Sequence, residues 1–492
     1  MSETYAASSV PDDSPQDQPH PAAGRMRGDL TEGPILKTLM LFSIPTLISN
    51  MLQTLNGTIN SIWVGRLIGE SALAATANAN IVMFLTFAAV FGFGMATTVR
   101  VGQNFGARKI DAARITFGSG IGFCTLVSIV VGLIGFVYSP ALLTALGTPE
   151  LSRIEALEYL RVVFITMPFG TLSVMVSMGL RGAGDAKTPL YAMILTVIID
   201  ILCNPLLIRG VGPIPAMGIT GSALSTAIAN FAGVAFMIAA MYLRDMPLRL
   251  RGAELGYLVP RRSELGFIIT KGLPMGTQML LVSSAGLIMI SLVNAEGMET
   301  AAAYGASLQL WNYLQMPAFA ISSAVSAMVA QNVGAGKHRR VSQITWQGLG
   351  ANLALTGTLA VVLVVAAHPL LGLFLGPQSA ALPLAEHMQR IVTWSFVLMG
   401  VMMILTGTMR AYGAVLMPLV IMFISLYPAR LGFYYIAHTQ IGAEAIWWSY
   451  PFGSVVAAGL TLVLYNRKGW RKIDRSKMRS GSDMGGGEMM GH

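Results

Sequence analysis

The sequence predicts an all-α polytopic membrane protein: twelve transmembrane helices in two six-helix lobes, related by a pseudo-two-fold axis along the membrane normal. Three observations carry that expectation. Of 492 residues, 54% are hydrophobic and only 11% charged, with a mean hydropathy of +0.63, whereas soluble chains carry roughly 25% charged residues. Twelve apolar stretches are long enough to cross a hydrocarbon core of about 30 Å, which takes about 20 residues. The second half of the chain also repeats the first.

The expected spans in the first half are 36–64, 73–99, 115–138, 157–180, 188–208 and 217–243. Those in the second half are 265–293, 302–330, 343–366, 388–409, 416–437 and 442–465. Backbone groups in lipid must be bonded internally, so each span is read as a helix; none shows the strict alternation of a barrel strand. The organisation expected is a disordered N-terminal segment 1–33, an N-lobe 34–243, an inter-lobe linker 244–264, a C-lobe 265–466 and a disordered basic, Gly/Met-rich tail 467–492. The first 33 residues lack the apolar core of a cleaved signal, so the first span is expected to act as its own insertion signal. Cys124 and Cys203 both lie in apolar runs and imply no disulfide framework.

The net charge of +9 is concentrated in short segments between spans and in the tail. With an even span count, most of the 32 Lys and Arg fall on one side, including Arg108, Lys109, Arg181, Arg249, Arg251 and Lys337. The positive-inside rule then makes both termini cytoplasmic, in the inner (plasma) membrane. No basic stripe with interleaved aromatics exists, so nucleic acid is not an expected partner.

The repeat is internal and regular. Val101-Gly-Gln103-Asn104-Phe-Gly106-Ala107 recurs as Val329-Ala-Gln331-Asn332-Val-Gly334-Ala335, 228 residues on. Pro45 matches Pro274, while Arg181 and Pro189 match Arg410 and Pro418, each 229 residues on. Six spans separate the copies, so the halves share one topology and enclose a central cavity. The Gln-Asn-x-Gly-Ala boxes sit where spans 2 and 8 end, and their glycines are read as left-handed helix caps. Gly118-x-Gly120-x-Gly122 lies inside a span, so close helix packing is expected there and not nucleotide binding.

An ionised carboxylate at bilayer depth costs about 2.5–3.5 kcal/mol on insertion scales, which makes intramembrane acids functional candidates. Asp200 is the one acid placed well inside a span. Asn204, four residues on, shares its helix face, and Pro205 has no N–H for the carbonyl of Ile201. A carboxylate, an amide and a free carbonyl are thereby clustered. A low-dielectric site favours the neutral acid, which is the behaviour a proton carrier requires.

Several blocks together make the chain identifiable. It resembles the multidrug and toxic compound extrusion (MATE) family, through Pro45 to Asn60-Ser-Ile-Trp-Val-Gly65, the paired Gln-Asn-x-Gly-Ala boxes and Arg181-Gly-Ala-Gly-Asp185. Asp200-x-x-x-Asn204-Pro205, Gly218-x-x-Gly221-x-Ala223 and Met409-Arg410-Ala-Tyr412-Gly413 match as well. The likeness covers about residues 32–466. It implies two six-helix lobes in a V and a monomeric antiporter exporting amphipathic, often cationic compounds, in exchange for H⁺ or Na⁺, with no cofactor, no metal site and no catalysis. Relatives with a first-lobe proton site carry Asp where this chain has Asn60. Their fifth helix reads Asn-x-x-x-Asp-Pro where this one has the acid and amide exchanged. Asp200, bonded to Asn60 or Asn204, is therefore expected to carry the proton. Sodium-coupled relatives place acids in helices seven and ten, where this chain has Met279-Leu-Leu-Val-Ser283-Ser284 and Leu398-Met399-Gly-Val-Met402-Met403; this favours H⁺.

Polar residues within spans are the expected cavity lining. In the first half these are Gln53, Asn78, Asn80, Ser173, Ser177, Thr226 and Asn230; in the second, Ser283, Tyr304, Gln309 and Asn312, with Met399 as a pliable wall. Pro45, Pro205, Pro274 and Arg430 are read as structural, with Glu444 or a helix-end carbonyl as partner for Arg430. The alternatives are a Na⁺-coupled antiporter and a lipid-linked sugar flippase of the same superfamily. A flippase needs basic residues deep in the first-lobe spans, and none is expected there. A membrane enzyme is disfavoured because no His stands near Asp200 in sequence and no His-Glu-x-x-His occurs.

Overall fold

The computed structural model describes residues 28–145, 150–213 and 215–472. Twelve helices within it are long and apolar enough to span a membrane. The first lobe comprises α1 (Ile35–Leu67), α2 (Glu70–Gly106), α3 (Ile110–Ala145), α4 (Glu150–Gly182), α5 (Lys187–Arg209) and α6 (Gly218–Leu243). The second comprises α7 (Arg262–Ala295), α8 (Met298–Gly334), α9 (His338–Val365), α10 (Leu382–Ala411), α11 (Leu416–Ile441) and α12 (Glu444–Arg467).

Several helices overrun their apolar cores, because a helix continues until the backbone is forced out of it. Gly69 (φ 131°) stops the chain between α1 and α2, and its repeat equivalent Gly297 (φ 114°) does so between α7 and α8. Two features have no periodic signal in the sequence. A short helix, Ala367–Leu375, precedes α10. Within α11, a π-helical turn, Ser425–Leu431, surrounds Pro428.

The lobes meet reciprocally: α2 of the first packs along α7 of the second, α8 of the second packs along α1 of the first, and α2 and α8 cross at the centre. Small residues permit the approach. A Cβ on Gly92 would overlap the backbone of Gly272 and Gly276. The Gln-Asn-x-Gly-Ala boxes lie at this crossing. A Cβ on Gly106 would overlap the Gln331 carbonyl, and one on Gly334 the Gln103 carbonyl. Gln103 Nε2 donates across the seam to the Ala411 carbonyl at 2.8 Å, and Gln331 Nε2 donates to the equivalent Gly182 carbonyl at 3.1 Å. These glycines are not left-handed caps: the positive φ falls two residues later, on Arg108 and Gly336. They are close-approach positions between lobes.

Other expectations change where chain segments dock on the helices. Residues 28–33, expected to be disordered, lie across the seam with Leu30 only 6% exposed. The Leu30 N–H donates to Gln331 Oε1 (2.8 Å), and Asn332 Nδ2 to the Leu30 carbonyl (3.2 Å). Lys337 Nζ reaches the Thr31 carbonyl (3.1 Å), and Arg340 Nη2 the Gly33 carbonyl (2.7 Å). At the other end, Trp470 is 2% exposed and stacks on Tyr465, with its edge to Tyr412. That apolar burial orders residues 467–472, expected to belong to the tail. Residues 1–27 and 473–492 of the two terminal segments lie outside the described residues. The linker carries a 3₁₀ turn, Gly252–Leu258. A Cβ on Gly118 or Gly122 would overlap Tyr257 or Leu258, so these two glycines of the Gly-x-Gly-x-Gly run receive the linker, and only Gly120 faces another helix, at Thr97.

Gly334→Ala is therefore expected to destabilise the α2–α8 crossing by about 1–3 kcal/mol, as overpacking does. A lowered unfolding midpoint and a longer, broader spin-label distance between positions 109 and 337 would report it.

Candidate functional site

Three helices of the first lobe converge on one carboxylate. On α5 the buried residues Thr196, Asp200, Asn204 and Ile208 recur every four positions, so Asp200 faces inward and is 0% exposed. Among the described residues it is the only acid fully buried within a membrane-length helix. Asn56 and Asn60, one turn apart on α1, each donate Nδ2–H to Asp200 Oδ2 at 2.8 Å. From α6, Ser225 Oγ donates to Oδ1 at 2.7 Å, and Thr226 Oγ1 lies 3.4 Å from both oxygens. Asn204 Nδ2 donates to Asn60 Oδ1 at 2.7 Å, holding Asn60 in register. The expected trio Asp200, Asn204 and Asn60 is brought together.

Asn56 and Ser225 escaped the sequence reading. The i, i+4 rule that tied Asn204 to Asp200 would have tied Asn56 to Asn60. Ser225 carried no usable signal, since hydroxyls on membrane helices commonly bond their own backbone, as Ser49 and Thr54 do here. Ser225 has two directions open to it: its Oγ lies 3.2 Å from the Asp200 carbonyl as well as 2.7 Å from the carboxylate. It can donate to the carboxylate, or accept from the acid while its own hydrogen turns to the carbonyl.

A cavity of about 280 Å³ adjoins this cluster. It is lined from α1 by Ser49, Asn50, Gln53 and Asn56, from α4 by Ser173, Ser177 and Arg181, and from α6 by Thr226 and Asn230, with Phe87 and Phe91 of α2 and Met193 of α5 as apolar wall. Five expected lining residues (Gln53, Ser173, Ser177, Thr226 and Asn230) are thus gathered there. Thr226 and Asn230 also border a smaller cavity of about 120 Å³ with Tyr159. Asn80 is exposed and lines neither. The side chain of Asn78 lies outside the described residues. Arg181, read from sequence as a residue of the basic face, stands in the last turn of α4 and also borders the chamber.

The second lobe does not gather its expected residues. Tyr304 is buried in an aromatic core, its hydroxyl 2.5 Å from that of Tyr450 and its ring edge-on to Trp311; burial in apolar packing, not cavity lining, accounts for it. Met399 packs at the margin of this core. Gln309 and Asn312 are exposed, and Ser283 is part-buried beside Ser284, which bonds Tyr427. Arg430 does not pair with Glu444, which takes His387 at 2.8 Å. On the π-helical turn its guanidinium lies over the Tyr450 ring, 3.2 Å from the centroid.

Two repeated six-helix lobes of membrane-spanning helices, with a polar chamber in one, are the architecture of a membrane transporter. A family model described as MatE matches the chain twice, over residues 45–206 and 274–436, once in each lobe. The chain belongs to that family of multidrug efflux (MATE) transporters. It is 32% identical over 443 residues to the "Probable multidrug resistance protein YoeA" of Bacillus subtilis, covering 89% of this chain and 95% of that one. It is 29% identical to the "Probable multidrug resistance protein YpnP" of the same organism, covering 90% and 98%. The fold matches the outward-facing conformation of a multidrug resistance MATE family transporter with a TM-score of 0.82, at 21% identity over 90% of this chain and 98% of that one.

Replacing Asp200 by Leu takes the carboxylate acceptor from the Asn56 and Asn60 amides, and each buried unpaired group costs about 1–3 kcal/mol. Asp200→Leu is expected to unfold at a clearly lower temperature than wild type in detergent, while Asp200→Asn, which keeps shape and polarity, stays close to it.

Proposed function

We propose that the protein is a monomeric, proton-coupled efflux antiporter of the inner (plasma) membrane. It exports amphipathic compounds, cationic ones among them, by alternating access through the first-lobe chamber. The observation that supports this most directly is the Asp200 cluster with its reversible hydroxyl. A proton arriving at Oδ1 is accommodated when Ser225 turns to the Asp200 carbonyl. A proton at Oδ2 displaces an amide, and Asn56 is also part of the chamber wall. Proton uptake and cargo contact therefore meet on Asn56, so each can bias the other. With the basic face cytoplasmic, the α2–α8 crossing closes the inner side and the lobes open outward.

Sodium coupling has one observation in its favour. Asn56 Oδ1 and Asn204 Oδ1 are buried without a donor, and uncharged oxygens beside a carboxylate are the ligands Na⁺ takes in transporters.

Ethidium efflux from cells expressing wild type or Asp200→Asn, driven by imposed H⁺ or Na⁺ gradients separately, distinguishes the two. Efflux is expected to follow the H⁺ gradient and to fall to the level of empty cells in Asp200→Asn. Equal efflux by both variants removes Asp200 from the mechanism, and dependence on Na⁺ alone replaces the proton. Ser225→Ala is expected to slow H⁺-driven efflux without abolishing it, because the carboxylate loses the one hydroxyl that can either donate to it or turn to the Asp200 carbonyl.

A further inference from the structure

We propose that the protein binds an anionic phospholipid in a pocket at the basic end of the first lobe. Lys187 and Arg244 hold the headgroup phosphate there, and the lipid-facing surface of α1 and α5 takes an acyl chain. The pocket shares no lining residue with the Asp200 chamber. It encloses about 580 Å³, within the range of small-ligand sites. Its walls come from residues 28–30, the first turns of α1, the turn between α4 and α5, and the start of the inter-lobe linker.

The charged lining residues are Asp29, Asp185, Lys187 and Arg244, and both acids are committed elsewhere. Asp29 Oδ1 accepts from the Thr31 N–H (2.8 Å) and hydroxyl (2.7 Å), and its Oδ2 lies 3.7 Å from Arg108. Asp185 Oδ1 accepts from the N–H groups of Lys187 (2.9 Å) and Thr188 (3.0 Å), and Oδ2 from the Thr188 hydroxyl (2.6 Å). The Lys187 ammonium is exposed and has no side-chain partner among the described residues. Arg244 adds a planar fork of donors that matches phosphate oxygens.

The surroundings say which phosphate. Leu41 of α1 borders the pocket and is 55% exposed, and Ile44 and Ile48 continue its exposed stripe along the helix. On α5, which packs against α1, Ile194 and Ile198 are exposed as well. Leu243, immediately before Arg244, is 86% exposed. Large apolar side chains left open on membrane helices face acyl chains, so the two cations stand where that surface ends, at the level of anionic headgroups. A soluble anion would use the cations alone. A phospholipid also uses the apolar stripe that leads away from them, and this continuity commits the site to lipid.

The test is native mass spectrometry of the full chain in detergent, titrated with phosphatidylglycerol or with phosphatidylcholine of the same acyl chains. Wild type is expected to bind the first phosphatidylglycerol about tenfold more tightly, the scale of a hydrogen bond to a charged group. The preference should vanish when Lys187→Gln and Arg244→Gln are combined, and persist in Lys187→Arg. Arg262→Gln combined with Arg339→Gln removes the same charge outside the pocket and should leave the preference intact. Millimolar inorganic phosphate should leave phosphatidylglycerol bound. Equal binding of the two lipids by wild type, equal loss of preference in the two double variants, or full displacement by phosphate overturns the assignment.

Discussion

The structure is organised around the burial of one carboxylate in a slab that dissolves charge poorly. Asp200 is tolerable at full burial only because α1, α5 and α6 deliver amide and hydroxyl donors to both of its oxygens. That requirement fixes the rotation of three helices at once. It also joins the ionisable group to the chamber, since Asn56 and Thr226 serve both. The chamber is thus the space left by helices whose inward faces are already committed to solvating an acid.

Duplication supplies the frame, and the two halves have then diverged. At the crossing the symmetry is nearly intact: the two box glutamines cap equivalent carbonyls, and each box glycine admits the other lobe's backbone. Away from the crossing it is lost. The first lobe holds a polar chamber, whereas the second fills the comparable interior with Tyr304, Trp311, Trp447 and Tyr450.

Much of this was legible in the sequence, for identifiable reasons. Spans appear as apolar runs because lipid demands them, and the repeat appears because equivalent crossings need the same small residues. Asp200, Asn204 and Asn60 stood out because polar groups are rare and costly at that depth. Ser225 did not, because a hydroxyl on a membrane helix is inexpensive and common. Tyr304 was misplaced because aromatic composition cannot distinguish a cavity wall from a filled core. That Arg181 also borders the chamber was not legible, because position along a helix does not reveal which side of it faces a void. The docked ends escaped for another reason: Leu30 and Trp470 are single apolar residues in polar company, and only the surfaces they meet make them informative.

The segment at residues 28–33 has a bearing on how the protein can be handled and controlled. It touches Gln331, Asn332, Lys337 and Arg340 of one lobe and, through Gly28 and Gly184, the backbone of the other. It therefore works as a clasp: the lobes cannot part on that side until it peels away. A side chain at Gly28 would strike the Ala183 carbonyl, so a change at that one position acts on the clasp before it acts on any helix.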